Sequence, residues 1–255
     1  PTSLSTGTAT ACAVVDSWVK CWGSNTKGQV GTGTTSTKQT TAFAVVPGAM
    51  AGKGVTKVSV GTTHTCAVAN AQVYCWGDNS SGQLGNRSST DSPTPVAVYN
   101  QTAHTDITPA YCQGTSGPWG CSFPFGTWIN EVRTSYPQSA LVGKEVVDVT
   151  AGDGFTCASA TDGTVACWGK NNSGQLGNGN RDSKNYPVAV STTGSSALAG
   201  KKVRKLALLK GNAATMCVIT TEQKAICWGQ NYAGQVGDGG HAGGGGGRRA
   251  HHARG

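Results

Sequence analysis

Apolar and polar positions alternate in short runs along this chain. VTKVSVG (55–61) alternates, TCAVA (65–69) and QVYCWG (72–77) follow it, and TPVAV (94–98) comes after a Gly-Gln-Leu-Gly turn. Period-two runs of this length, broken by turn residues, read as half-buried strands. The same order returns in VVDVTAG, TCASA, TVACWG and YPVAV (146–190), and again in VRKLALL, MCVIT and KAICWG (203–229). Four short antiparallel strands per unit of about 55 residues predict the blade of a β-propeller. A blade cannot bury both of its faces alone, so the units are expected to stack side by side.

One stretch punctuates every unit. CWGSNTKGQVG begins at Cys21, CWGDNSSGQLG at Cys75, CWGKNNSGQLG at Cys167 and CWGQNYAGQVG at Cys227. A catalytic constellation is needed once per chain, whereas a folding motif recurs, so this motif reads as scaffold. Trp22, Trp76, Trp168 and Trp228 are expected to fill the space between adjacent blades. The asparagines at 25, 79, 171 and 231 suit an Asx-type turn or a left-handed backbone. The glutamines at 29, 83, 175 and 235 suit side-chain to backbone ties. Glycines 28, 82, 174 and 234 supply positive φ, and glycines 31, 85, 177 and 237 permit close backbone approach.

The ten cysteines fall in close pairs: Cys12 with Cys21, Cys66 with Cys75, Cys112 with Cys121, Cys157 with Cys167 and Cys217 with Cys227. There is no Cys-x-x-Cys, which argues against zinc ribbons and thioredoxin-like chemistry. A two-residue turn at Asn70-Ala71 sets Ala69 opposite Gln72 and, counting outward, Cys66 opposite Cys75. The same count around Asp16-Ser17 sets Cys12 opposite Cys21, and one extra turn residue in the other two repeats preserves the register. Facing cysteines predict cross-strand disulfides, each worth roughly 2 to 3 kcal/mol at most. The compartment implied is oxidising: extracellular, periplasmic or cell-surface.

The motif, preceded by HTCAVA and followed by PTPVAV, resembles the repeat of the regulator of chromosome condensation family, in the cysteine-paired variety of secreted and surface proteins of bacteria. The resemblance covers residues 1–99 and about 138–239. It implies an all-β fold, a β-propeller that is usually seven-bladed, and members that hold another protein on one face. The founder promotes nucleotide exchange on a small GTPase and docks on chromatin, and a bacterial relative inhibits β-lactamases. Only four repeat cores are present here. The chain opens inside a first strand, without a methionine or a secretion-signal pattern, and no PTPVAV-like strand follows GQVGDG. A partial propeller is therefore expected, either a fragment or an array completed by further repeats or a second chain.

The chain divides into repeats one and two (1–99), an insertion (100–137), repeats three and four (138–239) and a tail (240–255). The insertion carries Tyr111, Trp119, Phe123, Phe125, Trp128 and Tyr136, with Cys112 and Cys121 as its own staple. Insertions in repeat arrays map to loops on one rim. A disulfide-closed aromatic loop presents apolar area at low entropy cost, so Tyr111, Trp119, Phe123, Phe125 and Trp128 are the candidate binding residues. A small local core over the rim is the competing role for these rings.

Little else carries chemistry. No Gly-x-Ser-x-Gly elbow, phosphate loop or His-Glu-x-x-His helix occurs. His64 aligns with Thr10 and Phe155 and reads as a structural side chain, His104 stands alone, and Asp106, Glu131 and Asp148 are scattered. The reading is non-enzymatic, with no catalytic residue, metal or cofactor. Net charge is +8, but three of those charges are arginines of the Gly/Arg/His tail, which is expected to be disordered and without function. No apolar run approaches a membrane span. The expected partner is another protein, with a glycan as a further candidate and with neither nucleic acid nor membrane insertion. A regulator of an enzyme, working through the loops near Asn25, Asn79, Asn171 and Asn231, and a structural segment of a larger surface protein are the alternatives.

Overall fold

The computed structural model describes residues 1–102, 104–109, 131–194, 196–208, 214–239 and 251–252. Its elements are strands, apart from one 3-10 turn at Gly48–Met50. Sheet one holds β1 (Ser3–Thr6), β2 (Thr10–Val15), β3 (Trp18–Asn25) and β4 (Ser36–Ala44), and sheet two holds β5 (Val55–Val60), β6 (His64–Ala69), β7 (Gln72–Gly77) and β8 (Ser92–Ala97). β9 (His104–Pro109) and β10 (Glu131–Tyr136) form a separate two-stranded ribbon. Sheet three holds β11 (Val146–Ala151), β12 (Phe155–Ala160), β13 (Val165–Gly169) and β14 (Lys184–Ala189). Sheet four holds β15 (Val203–Leu208), β16 (Thr215–Thr220), β17 (Ala225–Gly229) and β18 (His251–His252). Within each sheet the strands lie in chain order and run antiparallel, as blades of a propeller do.

The hairpin between β6 and β7 shows why the register is local. Asn70 and Ala71 both take positive φ, at 47° and 58°, and so form the two-residue turn whose twist suits a tight hairpin. Ala69 then faces Gln72 and Cys66 faces Cys75. Asp16 and Ser17 repeat the geometry, and Cys12 faces Cys21. The longer turns close on Gly163 and Gln223, again at positive φ. Four disulfides result, Cys12–Cys21, Cys66–Cys75, Cys157–Cys167 and Cys217–Cys227, each with Cα atoms 4.1 Å apart. Cys112 and Cys121 lie outside the described residues.

Neighbouring sheets pack through their first strands: β1 and β2 against β5, β5 and β6 against β11, and β11 and β12 against β15. Three apolar clusters fill the joints. Cys12, Val14, Val19, Cys21 and Val30 of sheet one meet Val58, Val60, Tyr74 and Trp76 of sheet two. Cys66, Val68, Cys75 and Leu84 meet Val149, Ala158 and Trp168. Cys157, Cys167, Leu176 and Val190 meet Leu206, Met216, Val218 and Trp228. The cystines are thus part of the core as well as cross-links.

The C-terminal tail departs from expectation in one place. His251 and His252 occupy the fourth-strand position of sheet four, with His251 opposite Cys227 and His252 opposite Ile226. A strand ladder is made by backbone groups, and the open edge of β17 pairs with any chain that reaches it, whatever its side-chain pattern. Residues 240–250 and 253–255 lie outside the described residues.

Candidate functional site

The repeated motif resolves into a brace and a relay. Asn79 is fully buried; its Oδ1 accepts from the Leu84 amide at 3.0 Å, and its Nδ2 donates to Ser88 O, Thr90 O and Asn86 Oδ1. Asn171 repeats the set with Leu176, Asn180 and Asp182, and Asn25 and Asn231 hold Val30 and Val236. The backbone at these asparagines is not left-handed. Each amide instead pins a loop of about ten residues from inside, which differs from the turn roles read from sequence. Gln29, Gln83, Gln175 and Gln235 each accept, through Oε1, the amide two residues before them.

The relay joins one blade to the next. Trp76 donates its indole N–H to Gln29 O at 3.0 Å, Trp168 to Gln83 O at 2.9 Å and Trp228 to Gln175 O at 2.9 Å. A Cβ added at Gly31, Gly85 or Gly177 would meet that same indole nitrogen at 2.6 to 2.9 Å, so glycine is required for the ring to reach the carbonyl. Trp76, Trp168 and Trp228 are buried in these joints, while Trp22 of the first blade is half-buried.

His64 is also part of a joint. It is fully buried, with Nε2 2.8 Å from Thr156 Oγ1 of the next blade. The threonine hydroxyl gives its proton to Gln83 O at 3.0 Å, so Nε2 is the donor to Thr156, and Nδ1 is left buried without a partner. Burial pushes the imidazole down to about 4, against the opposing pull of Asp78 and Asp153. Held this way, the ring links blade two to blade three through Thr156.

The first strands line a groove of about 700 Å³ that runs past Leu4, Lys57, Asp148, Lys205 and Leu208. Their open edges are capped from the preceding blade: the hydroxyls of Ser3 and Ser5 accept from Val58 N and Val60 N, Ser59 accepts from Ala151 N, and Asp148 accepts from Leu206 N. Lys57 pairs with Asp148 at 2.9 Å. Sequence reasoning took Asp148 as scattered and missed these edge caps. The caps fall on two positions of the aligned first strands, Ser3 and Asp148 on one and Ser5 and Ser59 on the next but one, which is the signal the sequence offers.

The insertion leaves and rejoins the array at one point. Ser139 N donates to Gln101 O at 3.0 Å, Tyr99 OH donates to Pro137 O at 3.1 Å, and the Arg87 guanidinium lies 5.2 Å from the Tyr99 ring centre. Beside this foot is a recess of about 320 Å³ lined by Gln72, Tyr99, Asn100, Gln101, Leu141 and Val146. The ribbon rising from it pairs six residues in register, from Tyr136 with His104 to Glu131 with Pro109. Tyr111, Trp119, Phe123, Phe125 and Trp128 lie outside the described residues. Among the described residues, no group of three or more His, Cys, Asp or Glu is placed to hold a metal, and no helix is long and apolar enough to cross a membrane.

The sequence pattern described as "Regulator of chromosome condensation (RCC1) repeat" matches residues 20–68, 70–112 and 162–208, more than half of the chain. The chain belongs to the RCC1 repeat family. A second RCC1 pattern matches residues 55–83 and 146–175. Among relatives, the E3 ubiquitin-protein ligase HERC2 of Homo sapiens is 27% identical over 230 residues, covering 84% of this chain and 5% of its own length. The ultraviolet-B receptor UVR8 of Arabidopsis thaliana is 27% identical over 196 residues, covering 71% of this chain and 43% of its own. The crystal structure of human WBSCR16 superposes with a TM-score of 0.61 at 18% identity, over 91% of this chain and 48% of that one, and supports the same RCC1-type propeller fold. This RCC1-repeat chain therefore spans less than half the length of these relatives.

Proposed function

We propose that this chain is a non-enzymatic, extracellular or cell-surface binding module that holds another protein through the insertion and its aromatic residues Tyr111, Trp119, Phe123, Phe125 and Trp128. The observation that carries the reading is the pinned foot at Gln101, Ser139, Tyr99 and Pro137, from which a non-repeating ribbon rises between blades two and three. The recurring polar groups are consumed by the fold: the asparagines brace loops and the glutamine carbonyls receive tryptophans. What does not recur is left for recognition. The four disulfides support an oxidising compartment.

A photo-crosslinking amino acid placed in turn at Trp119, Trp128 and the motif-loop residue Ser80 tests this against a surface extract of the source cells. Adducts to one protein from the first two positions, abolished when 104–136 is replaced by a short Gly-Ser link, are expected. Adducts from Ser80 alone would turn the reading toward a regulator that docks on the motif loops.

A further inference from the structure

The repeats provide an internal control for what the fold itself requires where each first strand begins. Blade two reads Gly52-Lys53-Gly54-Val55-Thr56-Lys57, blade three Gly143-Lys144-Glu145-Val146-Val147-Asp148, and blade four Gly200-Lys201-Lys202-Val203-Arg204-Lys205. The backbone is the same in all three. Each glycine takes positive φ, at 72°, 66° and 68°, and the lysine amide after it donates three residues back, to Met50, Leu141 or Leu198. Each strand then bulges between Val55 and Lys57, Val146 and Asp148, or Val203 and Lys205. A bulge re-aims the extra residue away from the ladder, and in blade four that residue is Arg204.

Only the side chains differ, and they differ in charge. In blade two, Lys53 donates to Ala49 O and lies over the Tyr74 ring, and Lys57 pairs with Asp148. In blade three, Lys144 pairs with Asp162. In blade four, Lys201 pairs with Glu222 at 3.0 Å. Beyond it, Lys202, Arg204 and Lys205 are exposed, and among the described residues none of the three has an acidic partner. Exposed Lys224 adds to them: its carbonyl receives the Thr220 amide, and Thr220 faces Val203 across the sheet. Blade three makes the same turn and bulge with Glu145, Val147 and Asp148 where blade four has Lys202, Arg204 and Lys205, and blade two has Gly54 and Thr56 at the first two of these positions and an ion-paired Lys57 at the third, so the turn and bulge do not need the unpaired cations.

We infer that the base of blade four, at Lys202, Arg204, Lys205 and Lys224, binds a linear sulfated polysaccharide. A planar guanidinium takes a sulfate through two parallel N–H bonds, and flanking ammonium groups act as point charges along the rest of the chain. The residues around the patch, Val203, Thr220, Thr221, Glu222 and Gln223, include no aromatic ring on which a base could stack, which favours a saccharide over a nucleic acid. This inference stands apart from the ribbon, which belongs to another part of the chain.

The test uses the full chain and heparin as the sulfated probe, titrated at about 0.15 M salt. A K202E/R204V/K205D variant installs the blade-three residues at the same backbone positions, and an R248S/R249S/R254S variant removes the tail arginines. At least a tenfold loss of affinity is expected from the first and less than a twofold change from the second, with binding to the unmodified chain falling steeply as salt rises. Lysine-acetylation footprinting of the unmodified chain gives an independent readout, in which heparin protects Lys202, Lys205 and Lys224 but leaves Lys38 reactive. Unchanged affinity in the blade-four variant, loss in the tail variant, or absence of protection overturns the proposal. So does competition by single-stranded DNA or polyglutamate as strong as that by a second sulfated chain.

Discussion

Gln83 shows how much one residue of this chain carries. Its side-chain oxygen holds the Ser81 amide, its nitrogen donates to Asp78 at 2.6 Å, and its backbone carbonyl receives both Trp168 and Thr156 from the next blade. Asp78 is held ionised in that setting. Burial pushes its carboxyl up, but hydrogen bonds from Ser80 and Thr63, with Lys27 nearby, outweigh burial and leave it below the usual range. His64, in the same joint, sets a pH dependence. Its imidazole is near 4 folded against 6.5 unfolded, so the unfolded chain binds the proton first as pH falls. The stabilising contribution is complete above about 6.5 and is lost progressively toward 4, with a total of about 3 kcal/mol. Urea unfolding of the native chain and of His64→Phe, the residue blade three uses, should give curves whose difference changes across this window. A constant difference between pH 7 and pH 4 would sink the assignment.

At the scale of the element, the hairpin was almost wholly legible. Asn70-Ala71 and Asp16-Ser17 define two-residue turns, period two does the rest, and the facing cysteines follow from counting. What counting could not give is which bridge is sheltered. Both sulfur-bearing residues are buried at Cys12–Cys21, Cys66–Cys75 and Cys157–Cys167, whereas Cys217 of the fourth pair is only half-buried. Thiol–disulfide exchange requires access to a sulfur. Under native conditions a mild reductant should therefore open Cys217–Cys227 before the other three described bridges, read by alkylation and peptide mass analysis. Simultaneous opening of all four would show that global unfolding, and no local exposure, limits the reaction. Removing one sheltered bridge as a Cys66→Ala/Cys75→Ala pair should cost about 2 to 5 kcal/mol, because core packing is lost along with the cross-link.

At the scale of the whole molecule, each described blade is joined to its neighbour by an indole bonded to a backbone carbonyl, by the edge caps of the first strands and by the cystine-lined core of the joint. Stability in such an array behaves as a sum of unit and interface terms. Trp168→Ala empties the joint between blades two and three and should cost about 3 to 5 kcal/mol. Hydrogen exchange should then show protection lost in β6, β7, β12 and β13, while β16 and β17 of blade four keep most of theirs. Equal loss in all four blades would mean that the array opens as a single cooperative unit.

The sequence by itself determined the strands, the four-fold recurrence of the motif and the cysteine register, because turns and alternation act between residues close along the chain. It also marked the tryptophans and their companion glycines as packing residues. Only the tertiary structure decided what they pack on. The carbonyl that receives Trp168 belongs to Gln83, 85 residues earlier, and a backbone oxygen has no side-chain identity to read. The roles of Asn79 as an internal brace, Ser59 as an edge cap and His64 as a link to Thr156 were hidden for the same reason. The charges of Lys57, Lys201 and Lys205 were plain in the sequence. Which of them found Asp148 or Glu222 and which remained exposed depended on how neighbouring chain segments came together, a matter of distances that one-dimensional order does not contain.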